Sequence, residues 1–344
     1  MYNVMNIDKS PWSSGEGEQN DVVLSSRIRL ARNFAEYPFP LKQTLESAES
    51  VKGIMQNFCA NNDDFQLYHI ADMAPLEQRV LVEKHLISPE HGISDETRAV
   101  VLNRDETVSI MVNEEDHLRL QCFAPGLNLT ELWERADALD DKIEEEANYA
   151  FDEKYGYLTC CPTNLGNGLR GSVMLHLPGL KMTKRLGILN HLSNVGMNVR
   201  GLYGEGSEAY GDLYQISNQL ALGQSEEDVL TNLHGITEQI IKEERAAREY
   251  LYDHMRYALE DECLRAQGIL SYARRLNSKE SLELISKVRL GVSMGINQMD
   301  MKKISNLYLL VQPGYLQLLR GEDMNELERD VYRGEKVKEY LSKE

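Results

Sequence analysis

Two arginines lie two positions apart in the apolar stretch Ser25-Ser26-Arg27-Ile28-Arg29. Alternate side chains of a β-strand point to the same face, so Arg27 and Arg29 are expected to point together. Two like charges side by side are costly unless an anion lies between them, and the guanidinium fork matches phosphate oxygens. The spacing favours a polyphosphate site, although two solvated arginines on an exposed strand would give the same pattern.

Three consecutive acidic residues, Glu114, Glu115 and Asp116, lie between two apolar stretches that indicate strands. At a strand end, such carboxylates could bind Mg²⁺, accept hydrogen bonds from a guanidinium or act as a general base. Arg119 follows them and could face a phosphate or pair with the acids. A solvated acidic turn is the alternative, and it is the more common meaning of such a run.

Two glycine-rich segments each contain an arginine. Gly166, Gly168 and Gly171 surround Arg170 just before an apolar strand, which suits close approach of the backbone to a phosphate. The GK[ST] ending of a Walker loop is absent. Arg200 begins the second segment, whose glycines and acids are typical of a loop that closes over a substrate. Ordinary glycine turns are the alternative for both segments.

The composition narrows the class of protein. The chain has 344 residues, 42% of them hydrophobic, and a formal net charge of −18. A nucleic-acid binder usually has a basic face, whereas an acidic surface attracts basic partners such as arginine-rich protein segments. Five cysteines without a CxxC pair, and no HExxH motif, predict neither a disulfide framework nor a metal site. Without a long apolar run or a signal peptide, we expect a cytoplasmic protein with no membrane contact.

The periodicity of apolar residues predicts an α+β fold followed by helices. Candidate strands cover residues 21–30, 99–101, 108–112, 118–123, 172–177 and 199–203, and candidate helices cover 46–59, 75–84, 129–145 and 181–195. Their irregular spacing and the short link 113–116 favour an antiparallel sheet. From Ser225 onward the pattern predicts helices only, with further helices from Ser278 and over 308–319 and 325–343. We therefore divide the chain into an N-terminal extension, 1–20, a catalytic part, 21–253, and a helical C-terminal part, 254–344.

Taken together, four segments resemble the phosphagen (guanidino) kinase family. The matching strings, in the family's order, are SSRIR, NEEDHLR, CPTNLG and RGxxGE. The resemblance implies an antiparallel sheet covered by helices, similar to glutamine synthetase, with ATP and Mg²⁺ across the sheet. Creatine and arginine kinases carry a helical domain before the first string, and here only 20 residues precede Asp21. This arrangement is similar to the bacterial protein-arginine kinases, which act on protein side chains.

The resemblance also implies roles for individual residues. Glu115 would engage the substrate guanidinium and take its proton, Glu205 would hold its other nitrogens, and Cys161 would help position it. The residues implied to bind the nucleotide are Ser25, Ser26, Arg27, Ile28, Arg29, His85, Arg119, Arg170, Gly171, Ser172, Val173, Met174, Arg200, Gly201, Leu202, Tyr203, Gly204 and Glu205.

A second candidate site lies near the C-terminus. Arg329 and Arg333 are four residues apart, one turn along a helix, and Asp330 lies between them. The stretch resembles the RDxxRA motif of protein-arginine kinases, which implies allosteric phosphoarginine binding, but Gly334 replaces the alanine. A solvated helix face is the alternative from the pattern alone.

The sequence thus leads us to expect a protein-arginine kinase that marks proteins for Clp-type degradation in a stress response. A Clp unfoldase, an activator protein and a second copy of the chain are the partners that the resemblance implies. A small-molecule arginine kinase and a non-enzymatic phosphoarginine adaptor are the alternatives. The absence of the helical domain before the first string argues against the former. The full set of Glu115, Glu205 and arginines argues against the latter.

Overall fold

The computed structural model describes residues 10–93, 95–201 and 210–342, and its central feature is an eight-stranded sheet. The strands of this sheet are β1 (Val23–Arg32), β2 (Phe65–His69), β3 (Ala99–Asn103), β4 (Val108–Val112), β5 (Leu118–Pro125), β8 (Leu169–His176), β9 (Met197–Gly201) and β10 (Leu213–Asn218). Their spatial order is β2-β3-β4-β5-β1-β8-β10-β9, and every neighbouring pair is antiparallel. The predicted antiparallel α+β sheet is confirmed. A separate two-stranded hairpin consists of β6 (Phe151–Asp152) and β7 (Gly156–Tyr157).

Helices lie between the strands and follow them. They are α1 (Leu45–Ala60), α2 (Pro75–Glu83), α3 (Leu129–Glu144), α4 (Pro178–Met182), α5 (Glu226–Tyr272), α6 (Ser278–Ser293), α7 (Met301–Leu310), α8 (Pro313–Arg320) and α9 (Glu326–Ser342). The Ser225 hydroxyl accepts from the Asp228 N–H at the start of α5, as its sequence predicts. None of the helices in the described ranges is long and apolar enough to cross a membrane.

Two of the predicted helices are wrong. The expected helix over 181–195 is a short α4 followed by a 3-10 helix (Leu186–Val195), because Lys184 between them takes a positive φ of 58°. The expected helix over 308–319 is divided into α7 and α8. Pro313 has no N–H and cannot continue an α-helix, so it begins a new one. Strands β2 and β10 were not predicted at all.

The two faces of the sheet are covered by different groups of helices. Ile28, Leu30 and Val173 point into a core formed with α1, α3 and the first half of α5. Phe123 and Met174 point to the opposite face, into a second core that includes α2 and the helices from α6 onward. Because side chains alternate along a strand, Arg27 and Arg29 of β1 lie on this second face.

The helical C-terminal part is closely joined to the sheet. α5 runs through position 253 without interruption and has non-helical backbone only at Met255 (φ −135°, ψ 27°). The second core contains residues from both sides of this point, including Trp12 from the N-terminal segment and Tyr308 from α7. The boundary at 253 stays a prediction, and the kink at Met255 is the structural feature nearest to it.

Candidate active site

Five arginines from four strands lie on one face of the sheet. Arg29 of β1 is directly opposite Arg170 of β8, and Arg119 of β5 is opposite Ala31, two residues after Arg29. Residues opposite each other across an antiparallel pair share a face, as do residues two apart on one strand. Arg27 therefore belongs to the same group.

Arg200 of β9 joins this group through β10. It is opposite Gln215, which is opposite Met174 of β8, and Met174 is an even number of residues from Arg170. The sequence alone could not show this, because β10 separates β9 from β8 and was not predicted.

The arginine face carries concentrated positive charge on partly buried side chains. Burial and the charges of Arg119, Arg170 and Arg200 lower the pKa of Arg27 to about 10. The pKa of Arg29 lies well below its ordinary value, mainly because of burial and then because of Arg119 and Arg170. The neighbouring arginines thus make Arg27 and Arg29 costlier to keep charged. A bound polyanion such as a polyphosphate would relieve this repulsion.

A cavity of about 790 Å³ opens over this face. Besides Arg29, Arg119, Arg170 and Arg200, it is lined by the two described residues of the predicted catalytic set, Glu115 and Cys161. The remaining lining residues are Glu90, Arg98, Glu114, Thr163, Asn164, Asn198, Gln219 and Leu220. The cavity brings a carboxylate and a thiol together with the candidate phosphate ligands.

The three consecutive acids have three different environments. Glu114 forms an ion pair of 2.8 Å with Arg119 and also accepts from the Ser88 hydroxyl. Asp116 is buried and accepts from the Asn33 side chain at 2.6 Å and from a backbone N–H at 2.7 Å. Glu115 lines the cavity together with Glu114, and of the three acids only Glu115 is exposed. Of the three acids, it is therefore the most accessible to a molecule in the cavity.

Asn164 links the carboxylate to the arginine face and was not predicted as a site residue. Its amide N–H donates to Glu115 Oε1 at 3.1 Å, and its amide oxygen accepts from Arg29 at 3.4 Å. It follows Cys161 and Thr163 in the CPTNLG string, where the Cys161 Sγ is 3.1 Å from the Thr163 hydroxyl. The string itself was the available signal, since all three of these side chains line the cavity.

A hydrogen bond to Asp116 holds the CPTNLG segment in place. The Asp116 carboxylate accepts from the Cys160 N–H, so the acidic turn fixes the backbone immediately before Cys161. Burial, with the nearby Asp116 charge, raises the pKa of the Cys160 thiol to about 12. Cys160 is therefore a protonated, structural neighbour of Cys161.

A second, smaller cavity of about 50 Å³ adjoins the other end of the arginine face. It collects several of the predicted nucleotide-binding residues, and its lining is Trp12, Ser25, Arg27, His85, Phe123, Ser172, Met174 and Gln215. His85 has a positive φ of 59°, which is uncommon for a residue other than glycine. Burial and Arg27 lower the pKa of His85 to about 4, so its ring is neutral near pH 7.

Some predicted nucleotide-binding residues point elsewhere. The side chains of Ile28 and Val173 belong to the core on the opposite face of the sheet. The Ser26 hydroxyl donates to the Gly126 carbonyl at 2.8 Å on that side, and a Cβ added to Gly171 would also face that core, near Leu233. These residues can contribute only through their backbone. Leu202, Tyr203, Gly204 and Glu205 lie outside the described residues.

The chain matches two family models. Residues 46–247 match the ATP:guanido phosphotransferase C-terminal catalytic domain, and residues 256–344 match the protein-arginine kinase McsB C-terminal domain. The chain is 50% identical over 329 residues to a protein-arginine kinase of Caldanaerobacter subterraneus, with 94% of this chain and 98% of the relative covered. This chain belongs to the protein-arginine kinase family. A protein-arginine kinase of Brevibacillus brevis is 48% identical over 96% of this chain and 95% of its own.

Solved structures of phosphagen kinases share the fold. A lombricine kinase superimposes with a TM-score of 0.60 at 26% identity, over 70% of this chain and 71% of its own. A duplicated taurocyamine kinase from Schistosoma mansoni, with bound transition-state analogue components, gives 0.61 at 26% identity over 72% of this chain and 36% of its own. The predicted family resemblance and the predicted fold are confirmed.

In this member of the protein-arginine kinase family, the RDxxRG stretch borders a cavity of about 720 Å³ between α6 and α9. Arg329, Asp330 and Arg333 line it, together with Arg275, Asn277, Ser278, Lys279, Asn325, Glu326 and Leu327. Arg329 donates to the Met324 carbonyl at 3.1 Å. The start of α6 and three arginines thus surround one solvent-filled space.

The two arginines of the RDxxRG stretch differ in their surroundings. Arg333 is buried and donates to Asp330, to the Ser278 hydroxyl and to the carbonyls of Leu276 and Val311. Burial lowers its pKa, and Asp330 acts in the opposite direction. Arg333 therefore connects α9 to its neighbours, whereas Arg329 is half-buried at the edge of the cavity.

Gly334 allows close packing at the same point. A Cβ at this position would lie 3.0 Å from the carbonyl oxygen of Arg274 and 3.1 Å from that of Ala273. Both are backbone atoms, so moving them away from a Cβ would require a shift of the chain. Gly334 therefore lets α9 approach the end of α5 closely.

We expect acid to destabilise the protein through its buried histidines, of which His91 is the clearest example. His91 is fully buried, with Nε2 2.9 Å from the Ala99 carbonyl, and burial lowers its pKa to about 3. In the unfolded chain a histidine titrates near 6.5, so between pH 6.5 and 5 only the unfolded state takes up this proton. His91→Gln should reduce the fall of the unfolding free energy in that window by roughly 1 kcal/mol per pH unit, approaching the one-proton limit of about 1.4 near pH 5.

Urea unfolding at several pH values between 6.5 and 5 measures this slope. The exposed His254 on α5 provides the matched control, since His254→Gln leaves the buried groups in place and should keep the wild-type slope. An unchanged slope in His91→Gln would contradict the assignment of a neutral buried ring.

Proposed function

We propose that this chain transfers the γ-phosphoryl group of ATP to arginine side chains of proteins, using the cavity over the arginine face. The observation that carries the proposal is the link from Glu115 through Asn164 to Arg29. It joins a carboxylate suited to a guanidinium with an arginine suited to a phosphate. The link thereby sets the distance between the group that would hold the guanidinium and the group that would hold the phosphate. Phosphoryl transfer depends mainly on such positioning of the two reactants.

The difficult partner in this reaction is the nucleophile. A guanidinium has a pKa above about 12 and is protonated before it reacts. As its nitrogen forms a bond to the γ-phosphorus, the bond from phosphorus to the β,γ-bridging oxygen breaks and ADP leaves. Glu115 accepts the proton released by the nitrogen. From the family resemblance, Glu205 would hold the remaining nitrogens and Cys161 would limit how the guanidinium can turn.

The arginines stabilise the negative charge of the phosphoryl group as it moves from ADP to the guanidinium nitrogen. Arg29, Arg119, Arg170 and Arg200 line the cavity where the phosphates would lie, and Arg27 continues the row toward the smaller cavity. Their positive charges are already in place before the reaction, so no reorganisation is needed when charge develops on the leaving oxygen.

ATP is the phosphoryl donor of this family, and we propose Mg²⁺ as its counter-ion. Mg²⁺ is usually held by one or two carboxylates and by the substrate's phosphates. Three glutamates line the cavity, Glu90, Glu114 and Glu115, and two of them have no ion pair with a described residue. Across the described ranges no group of three or more His, Cys, Asp or Glu side chains could hold a metal alone. One or two of these glutamates, together with the phosphates of ATP, would suffice to hold a Mg²⁺ ion that enters with the nucleotide.

An acid-lability assay tests the proposed function. The purified chain is incubated with Mg-ATP and an unfolded arginine-containing protein, with free arginine in a parallel reaction. We expect phosphate on the protein that is lost in acid, because an N–P bond hydrolyses where a phosphoserine ester survives. Label on free arginine alone would instead favour a small-molecule arginine kinase. No transfer to either, with phosphoarginine still bound, would favour an adaptor.

The organisation of the chain follows from the same proposal. Residues 21–253 would form the catalytic unit, and residues 254–344 would form a regulatory unit. The cavity of the regulatory unit would bind phosphoarginine through Arg329, and Asp330 and Arg333 would hold the cavity wall in place. We propose a homodimer, an activator protein and a Clp unfoldase as partners, in a cytoplasmic pathway that marks damaged proteins under stress. These partners rest on the family resemblance.

The two regulatory arginines are expected to respond differently to substitution. Arg329→Ala should abolish binding of free phosphoarginine with little change in stability. Arg333→Ala leaves the buried carbonyls of Leu276 and Val311 without their donor and should lower the unfolding free energy by on the order of 3 kcal/mol. Calorimetric titration and urea unfolding separate the two effects. Unchanged phosphoarginine binding in Arg329→Ala would refute the assignment.

A further inference from the structure

The N-terminal segment contributes a buried aromatic ring to the nucleotide end of the site. Trp12 lies in a 3-10 turn (Pro11–Ser13) and is 4% exposed. Its ring is 4.8 Å from the ring of His85, edge to face at 74°, and 6.4 Å from that of Tyr308. The indole is thus held between a residue of the catalytic part and one of the helical part.

Trp12 lines the small cavity in which Arg27 is also found. Arg27 belongs to the row of arginines on the sheet, and its guanidinium donates to the Ser172 hydroxyl at 3.2 Å. A nucleotide whose phosphates follow this row has its base and sugar at the row's end. The small cavity is the space at that end among the described residues.

The indole N–H of Trp12 has no hydrogen-bond partner among the described residues, although it is buried. A buried donor without an acceptor is unfavourable, so such groups are rare and call for an explanation. The ring nitrogens of a purine are hydrogen-bond acceptors. A purine base in this cavity would supply the hydrogen-bond acceptor that the indole N–H lacks among the described residues.

We propose that Trp12 is a specificity-determining residue for the nucleotide base, packing against the adenine of ATP and donating its indole N–H to a ring nitrogen. The proposal rests on the kinase function proposed above. At about 50 Å³ the cavity is smaller than a purine, so the base must displace a lining side chain. Met174 is unbranched and flexible and is the side chain best able to move, while Trp12 and His85 form the rigid walls.

The chain contains only two tryptophans, which makes the test direct. Trp133 lies on α3, against the core of the opposite sheet face, so Trp133→Phe leaves Trp12 as the sole source of tryptophan fluorescence. Titration of this variant with ATP should shift or quench its emission. Inorganic triphosphate, which has the phosphates without the base, should bind and leave the emission unchanged.

A second variant measures the contribution of the indole N–H. Trp12→Phe retains an aromatic ring and should raise the Kd for ATP about three- to tenfold, with the Kd for triphosphate unchanged. Equal weakening of ATP and triphosphate, or no weakening of either, would overturn the proposal. ATP binding to Trp133→Phe without any change in emission would also overturn it. Failure of ATP to bind the unmodified chain would instead refute the kinase function, and this inference with it.

Discussion

Glu115→Gln is expected to reduce arginine phosphorylation about 10²- to 10⁴-fold while ATP binding stays near the wild-type level. The glutamine has the same shape, and its amide oxygen can still accept from Asn164. It cannot accept a proton, however, so the attacking nitrogen has no base. The measurement is the rate of acid-labile phosphate incorporation into an unfolded protein, with ATP affinity determined separately.

Glu153→Gln is the matched control for this prediction, because Glu153 is an exposed glutamate on the β6–β7 turn, away from the residues that line the cavity. It should retain full activity. If Glu115→Gln also remained close to wild type, the proton would have to leave by another route, and the assignment of Glu115 would fail.

The second large effect is a loss of stability, which we expect when the buried ion pair next to His85 in the sequence is broken. Lys84 and Glu106 are joined at 2.8 Å, and their side chains are 0% and 1% exposed. Lys84→Met leaves a carboxylate buried without its partner and should cost about 3–5 kcal/mol of unfolding free energy. Because Lys84 immediately precedes His85, the same variant should weaken ATP binding. Urea unfolding measures the first effect and nucleotide titration the second.

Two further variants make this prediction specific. Arg265→Met removes one partner of an exposed pair with Asp261, at 3.8 Å, and should change stability by less than about 1 kcal/mol. The double variant Lys84→Met/Glu106→Gln removes both buried charges and should recover most of the loss. A single Lys84→Met variant as stable as Arg265→Met would show that the pair does not hold this part of the fold.

The elements predicted correctly depend on neighbours in the sequence. Arg27 and Arg29 share a face because strand side chains alternate, and β4 and β5 pair because the turn between them is short. Both relations span a few residues and follow from covalent geometry. The β10 strand was missed for the converse reason. It has polar residues such as Gln215 and Ser217 on one face, and its place between β8 and β9 becomes favourable only when both neighbours are present.

The sequence by itself determined the chemical groups of this protein, the antiparallel class of its sheet and its kinship with guanidino kinases, since local patterns and the order of motifs carry that information. The tertiary structure decided which groups meet. It left Glu115 the most exposed of three adjacent acids at the cavity, and it paired Asp116 with the Cys160 backbone N–H. It also brought Trp12 to His85 from more than seventy residues away. These outcomes follow from the burial of two apolar sheet faces and the pairing of polar groups buried with them, and both depend on contacts between distant parts of the chain.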